Sequence, residues 1–224
     1  MPIETKLSYM WNNQKSATTY RSGEKLTAPH AKHFIEQSGV ATRTERPLVI
    51  LDNACGTGVI SSLLHRILDE DTRSNWELTC GDSSEAMVSI TKDRIEEEGW
   101  NNAEAKVVDA QQTGLPSTHC THIFIGMAGW MRDVGAAIAT MPGNLLFPSR
   151  QELFAAVGKG QWHDESWVKS QLEQHGFEDI QVSVVPETIS VDSPHEFVTF
   201  FSNNLRLVTS FWTEEQREHN GIHA

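Results

Sequence analysis

Hydrophobic positions in the first 130 residues alternate between two periods. Leu48 to Leu51 form an uninterrupted apolar run, the signature of a strand buried on both faces, and the run ends in an acid and a glycine-rich turn. Past the turn, Ile60, Leu63, Leu64, Ile67 and Leu68 recur at helical spacing and predict an amphipathic helix over Val59 to Leu68. Trp76 to Cys80 reads as a second strand leading into Gly81-Asp82, and Ser84 to Glu98 as a helix with a serine cap and a stop at Gly99. Ala105 to Val108 and Thr121 to Gly126 read as a third and a fourth strand, the third running into Asp109. Strands alternating with helices in this way build a parallel sheet with helices on both faces, so a doubly wound α/β fold is expected.

The flanks are less regular. Leu26, Phe34 and Ile35 give Glu24 to Ser38 a thin apolar stripe that stops at Ser38-Gly39, which predicts a helix inside an N-terminal cap, residues 1–45. Beyond residue 127 the pattern predicts a short helix over Asp133 to Thr140, a better one over Ser166 to His175 and a strand over Gln181 to Val185 ended by Pro186. His195 to Trp212 carries a wide aromatic stripe at helical spacing, read as core packing. With no internal repeat or low-complexity linker, residues 1–224 read as one domain: cap 1–45, ligand-binding half 46–128 and remainder 129–224.

Composition narrows the partners. Thirty acidic against eighteen basic residues leave a formal charge of −12, which argues against nucleic acid or an anionic membrane surface. No stretch of about 18 apolar residues could span a bilayer, and the opening MPIETKLSYMWNNQKS has no apolar run of secretory type, so a cytoplasmic protein is expected. Cys55, Cys80 and Cys120 form no Cys-x-x-Cys pair and read as buried thiols, with no structural metal expected.

The chemistry lies in acids at strand ends. Asp52 precedes the loop Ala54-x-Gly56-x-Gly58, Asp82 follows the second strand and Asp109 the third, so all three stand at the carboxyl edge of a parallel sheet, where such folds bind ligands. Asp82 lies twenty-four residues past Gly58, about the separation of an acid that accepts from ribose hydroxyls. A glycine loop alone also occurs in many helix-leading turns, and any one acid could be a helix cap or a solvated turn. Asp52 would repel a pyrophosphate, which favours a cationic, phosphate-free nucleoside over a dinucleotide and leaves a nicotinamide dehydrogenase as the rival class.

The segments VILDNACGTG, CGDSSEAM, VVDAQQTGLP and THIFIG resemble, in order and spacing, the motifs of class I S-adenosylmethionine-dependent methyltransferases, over about residues 47–127. EKLT, SGV, EGW, NAE, PGN and FWTEEQRE extend the resemblance to fungal secondary-metabolite methyltransferases such as the bis-thiomethyltransferase acting on the dithiol gliotoxin, with amide N-methylating enzymes next. The resemblance implies S-adenosyl-L-methionine as cofactor and a small-molecule acceptor (thiol, amide nitrogen or hydroxyl), within mycotoxin-type secondary metabolism. It places Asp52, Ala54, Cys55 and Gly56 at the methionine end and Asp82 and Ser83 at the ribose and adenine. Asp109 and Ala110 lie beside the adenine, Met87 is a further cofactor contact, and Met127 and Ala128 lie near the sulfonium. Ala54 replaces the usual first glycine, at little expected cost. His122 replaces an acid often found at the start of the fourth strand, and reads as a surface or hydrogen-bonded histidine.

Methyl transfer from a sulfonium needs alignment and exclusion of water more than an acid or base. No catalytic residue is assigned; His163 with Asp164 is the suggestive pair, against a solvated turn, and His30 and His33 read as exposed. The family has a Lys/Arg-Pro-Gly-Gly turn and a fifth strand after the fourth, yet only fifteen residues separate Gly126 from Pro142 here. Gly129-Trp130 therefore looks like a junction where a strand-helix unit is lost, with Pro142-Gly143 and Asn144 to Phe147 as the rival stand-ins for turn and strand. The expected fold is a truncated Rossmann-like methyltransferase sheet, its fifth and last strands missing or replaced. Three readings follow: a competent small-molecule methyltransferase, a methyltransferase-like binding or regulatory protein without turnover, and an incomplete gene product. Oligomeric state is left unassigned.

Overall fold

The computed structural model describes residues 11–42, 47–110, 112–126 and, apart from 184, 187 and 189, 164–220, with a few short stretches between 135 and 152. The chain divides into two units, residues 8–130 with 190–203 and residues 131–189 with 204–224.

The first unit is built on a parallel sheet of β1 (Val49–Asn53), β2 (Glu77–Asp82), β3 (Ala103–Val107) and β4 (His122–Ile125), in the order β3-β2-β1-β4. Register sets Asp52 beside Cys80 on one side and Phe124 on the other, and Asp82 beside Val107. Each observed strand sits within two residues of its predicted span, because each apolar run is bounded by a turn or a glycine. The chain steps from β1 to β2 to β3 in one direction, so right-handed crossovers set the intervening helices α3 (Val59–Ile67) and α5 (Glu85–Glu98) on the same face. A short helix, α4 (Glu70–Ser74), precedes β2, and Ser84 caps α5 by accepting from the Met87 N–H at 3.2 Å.

The cap is more elaborate than a single helix over Glu24 to Ser38. It comprises α1 (Gln14–Ser22), which the sparse apolar content of that stretch did not announce, a 3-10 turn (Glu24–Leu26) and α2 (Ala28–Ser38). Pro29, in the first turn of α2, lacks an N–H and suits a helix start, which separates α2 from the turn before it. One core runs through cap and sheet: Ala31, Ile35 and Val40 pack with Ile50, Ile60, Leu64, Leu78, Cys80, Trp100 and Phe124.

In the second unit α6 (Glu165–Gln174) matches the helix expected over Ser166 to His175. Helix α7 (Pro194–Thr209) ends three residues short of Trp212, and α8 (Glu214–His219) follows behind a capping box of Thr213 and Gln216. The strand expected over Gln181 to Val185 is not formed by its described residues 181–183 and 185. These residues pair with no strand among the described residues, and Val182 and Val185 are exposed. The helix expected over Asp133 to Thr140 lies largely outside the described residues, as do Met127, Ala128, Gly129, Trp130, Pro142, Gly143 and His163.

Candidate active site

The sheet order reverses at β1, since β2 lies on one side of it and β4 on the other. The loops leaving β1 and β4 therefore part, and a crevice opens at the carboxyl ends of the two strands. The loop after β1 turns by alternating left-handed residues, Ala54 (φ 56°), Gly56 (φ 56°) and Gly58 (φ 79°). An L-residue in that region carries roughly 1–2 kcal/mol of strain, so Ala54 is a costlier substitute for glycine than its size suggests. The loop is pinned to β2 and α5. Cys55 N–H donates to the Gly81 carbonyl (3.0 Å), Gly56 N–H to Asp82 Oδ2 (2.9 Å), and Thr91 Oγ1 to the Gly56 carbonyl (3.0 Å).

The three strand-end acids differ sharply. Asp52 is 1% exposed; its Oδ2 accepts from the Ser61 hydroxyl (2.6 Å) and N–H (3.2 Å), while its Oδ1 is buried with no hydrogen-bond donor. Burial pushes its carboxyl up to about 6, against the Ser61 bonds that lower it, and the negative charge of Asp82 adds to the rise. Asp82 is half-buried and accepts at both oxygens, from Gly56 N–H and from Ser84 N–H (2.9 Å each); burial raises its pKa despite those donors. Asp109 is exposed beyond the end of β3, where its carbonyl accepts from Gln112 N–H. Ser83 and Ala110 are exposed at the same edge. Met87 is buried with Ala17, Ala86 and Ile90 against Trp11 and Tyr20, so it supports the cap and does not line the crevice.

The cap supplies the opposite wall. Thr27, His30, Ala31 and Phe34 follow the i, i+3, i+4, i+7 rule of one helix face and line an open cleft. Asp52, Ala54, Cys55, Gly56, Val59, Ile60 and Gly126 line its other side, with Tyr20 from α1. The Tyr20 ring comes within 3.4 Å of where a Cβ on Gly56 would stand, and the Phe34 ring within 3.7 Å of one on Gly126. Both aromatic side chains of the cap thus pack at ordinary van der Waals distance from the strand ends.

An ionic cluster around the buried Arg94 joins cap and loop. Glu24 Oε1 accepts from Thr57 Oγ1 and Oε2 from Arg94 (2.6 Å each), and Arg94 also donates to the Thr57 carbonyl (2.9 Å). Glu98 lies 3.2 Å from Arg94 Nε and accepts from Ser62 and Trp100. The cap is tied further by Ser84 Oγ donating to the Trp11 carbonyl (2.7 Å) and Glu85 N–H to Asn12 (3.0 Å).

The expected residues Asp52, Ala54, Cys55 and Gly56 are brought together in this cleft, and Asp82 lies directly behind its loop. Asp164 is the N-cap of α6 in the second unit, accepting from the Trp167 N–H at 2.8 Å. His122 is hydrogen-bonded to Thr121 at 3.0 Å and stacked on Phe124. Tyr20 and the Glu24–Arg94 cluster escaped the sequence reading, and His30, expected to be exposed, is half-buried and lines the cleft with Phe34 of the stripe. The α2 stripe was visible, but nothing in its spacing says what it faces. Among the described residues no group of three or more His, Cys, Asp or Glu could hold a metal ion, and no helix is long and apolar enough to cross a membrane.

The electrostatics of the cleft point one way. Burial raises the pKa of Asp52, of Cys55 and of Tyr20, for which Asp82 and Glu24 contribute further, and among the described residues no Lys or Arg lines the cleft. A phosphate would find no counter-charge there. A ligand carrying positive charge and N–H donors would relieve both the buried carboxylate and its unpaired Oδ1. The fold and site thus define a Rossmann-like α/β protein with a switch-point cleft suited to a cationic nucleoside.

A methyltransferase-domain family profile matches residues 50–143. The methyltransferase afvD of Aspergillus flavus is 42% identical, over 92% of this chain and 80% of that protein. The acetylaranotin bis-thiomethyltransferase of Aspergillus terreus is 38% identical, over 97% of this chain and 86% of its own. Among solved structures, phosphoethanolamine N-methyltransferase 2 of Haemonchus contortus, in complex with S-adenosyl-L-methionine, superposes over 99% of this chain and 54% of its own, with a TM-score of 0.51 at 12% identity, a likeness of fold alone. The chain belongs to the S-adenosylmethionine-dependent methyltransferases, in company with enzymes of fungal origin. Its cofactor is S-adenosyl-L-methionine, and the residues present fit that group's sulfonium and ammonium charges.

Proposed function

We propose that the protein methylates the sulfur of a small-molecule thiol in fungal secondary metabolism. The observation that carries the reading is the cleft itself: a buried, under-donated carboxylate on one wall and a largely apolar helix face on the other, with room for a small molecule. Support for sulfur as the acceptor atom comes from the 38% identity to a bis-thiomethyltransferase. A thiol also suits a site with few proton-handling groups, because a few per cent of an ordinary thiol is already thiolate at neutral pH.

In this reading the cofactor supplies a methyl group on a sulfonium, already activated for displacement. Asp52, Ala54, Cys55 and Gly56 hold its methionine end, Asp82 and Ser83 its ribose and adenine, and Asp109 and Ala110 the adenine edge. Met127 is assigned to the reacting carbon by its motif alone, and Met87 contributes through Tyr20, against which it packs. The Glu24–Arg94 cluster keeps the cap over the loop, so that the cap residues exclude water from the reacting atoms. Residues 129–224 form the acceptor side, shortened relative to the family. In support, alignments with three curated relatives run to 238, 245 and 257 positions, more than this chain's 224 residues can fill.

Calorimetric titration with S-adenosyl-L-methionine, together with labelled methyl transfer to thiols, amines and phenols, tests the proposal. The wild type is expected to bind the cofactor and label thiols, and Asp82→Ala to lose at least about tenfold in affinity through the missing charged hydrogen-bond acceptor. Equal binding by both proteins overturns the site assignment. Label entering only amines or phenols overturns the choice of sulfur.

A further inference from the structure

We infer that His30 takes the proton from the acceptor thiol in the methyl transfer. The inference rests on the thiol reading above and adds a residue that neither the motif comparison nor the sequence pattern assigns to the reaction.

Four observations carry it. His30 lines the cleft on the α2 face shared with Thr27, Ala31 and Phe34, opposite the loop that carries Ala54, Cys55 and Gly56. Its imidazole makes no hydrogen bond or ion pair among the described residues, whereas His33, one turn on, is committed to Glu36 (3.7 Å). Of the cleft-lining groups able to hold a proton, Asp52 accepts from Ser61 at Oδ2 and in the reading above turns its remaining Oδ1 to the cofactor's positive charge, and burial holds the Cys55 thiol and Tyr20 phenol in their protonated forms. An imidazole is the side chain best able to accept a proton near neutrality, and here it lines a cleft that is otherwise mainly apolar.

The titratable groups sharing the cleft with His30 are Tyr20 from α1, Asp52 from β1 and Cys55 from its loop; Val59, Ile60 and Gly126 bring none. On its own helix Lys32 and His33 each lie beside Glu36 (3.6 and 3.7 Å), and Glu24 in the preceding turn is bound to Arg94 and Thr57. In the step, the acceptor's S–H bond breaks and its proton passes to the free imidazole nitrogen. The sulfur's electron pair forms the new S–CH3 bond as the methyl carbon leaves the sulfonium, whose bonding pair stays on the cofactor sulfur. The imidazolium then returns its proton to water.

The test compares wild type, His30→Gln, His30→Asn and, as control, His33→Gln, with dithiothreitol as an alkyl thiol and 4-nitrothiophenol as a thiol already ionised at neutral pH. Cysteine, with a pKa of about 8.5, is roughly 3% thiolate at pH 7 and dithiothreitol, a weaker acid, is less ionised still, so removing the proton acceptor should cost about 30-fold or more in kcat/KM there. The loss should shrink to within about twofold near pH 9.5, and 4-nitrothiophenol should show almost none at any pH. Cofactor affinity by calorimetry should stay within about twofold for all variants, since His30 is assigned to the acceptor. Independently of turnover, the carbon-13-labelled imidazole signal of His30 in protein loaded with S-adenosylhomocysteine should move toward imidazolium when dithiothreitol is added at constant pH 7. A loss that is the same at every pH and for both thiols, no loss, or an unmoved imidazole signal overturns the role of His30 while leaving thiol methylation standing. A wild type that methylates neither thiol overturns both.

Discussion

The two walls of the cleft are held in shape by different physics. The loop wall owes its form to backbone: left-handed residues at 54, 56 and 58, N–H groups donated to the Gly81 carbonyl and Asp82, and a carboxylate buried beneath them. The cap wall owes its position to side chains: aromatic rings laid against glycines, and one charge cluster reaching from Glu24 to Arg94 across seventy residues of sequence. Backbone geometry of the first kind tolerates substitution nearby as long as the turn survives. Attachment of the second kind fails when a single partner is removed, because the survivors are left charged and unpaired in a poorly hydrated place.

Breaking the cap wall should therefore give the largest effect. Arg94→Ala leaves Glu24 Oε2 and the Thr57 carbonyl without their donor, and a loss of about 3–5 kcal/mol in unfolding free energy is expected by urea denaturation. Paired replacement, Glu24→Gln with Arg94→Met, should recover a substantial part of it, since no uncompensated charge then remains.

In the loop wall a functional group opposes stability. Asp52 titrates at about 6 when folded, above its ordinary 3.8, so the folded state holds that proton more tightly than the unfolded chain does. Its ionisation consequently destabilises the protein above about pH 6, by roughly 3 kcal/mol once complete, and the penalty fades as pH falls toward 4. Asp52→Asn should be more stable than wild type by about that amount at pH 7 and by little at pH 4, as read from denaturation midpoints across pH. The same variant should bind S-adenosyl-L-methionine more weakly, and wild-type affinity should decline as the pH falls through 6. The smallest effect sharpens the contrast: Ala54→Gly should stabilise by about 1 kcal/mol by releasing left-handed strain, with the cleft unchanged.

Particular residues show what could be read without a structure. Asp52, Gly56, Gly58 and Asp82 stood out because an apolar run, a glycine turn and a helical stripe follow one another within about twenty residues. Each of those signals is carried by neighbours in the chain. The separate fates of the acids were not legible: Asp52 and Asp109 look alike as strand-end acids, yet one is sealed against Ser61 and the other is exposed. Gln181 to Val185 shows the reverse error. Its alternation looked like a strand, but a strand exists through its neighbour, and the described residues there have none.

Local signals along the chain suffice for the succession of strands and helices, the parallel sheet and the acids at its carboxyl edge, since periodicity, capping and turn chemistry act over a few residues. Packing at a distance is what makes α2 face the β1 loop, brings Arg94 to Glu24, and sets His30 in the cleft while His33 lies beside Glu36. Those outcomes depend on which distant surfaces pack together, and no spacing along the chain records the identity of a partner.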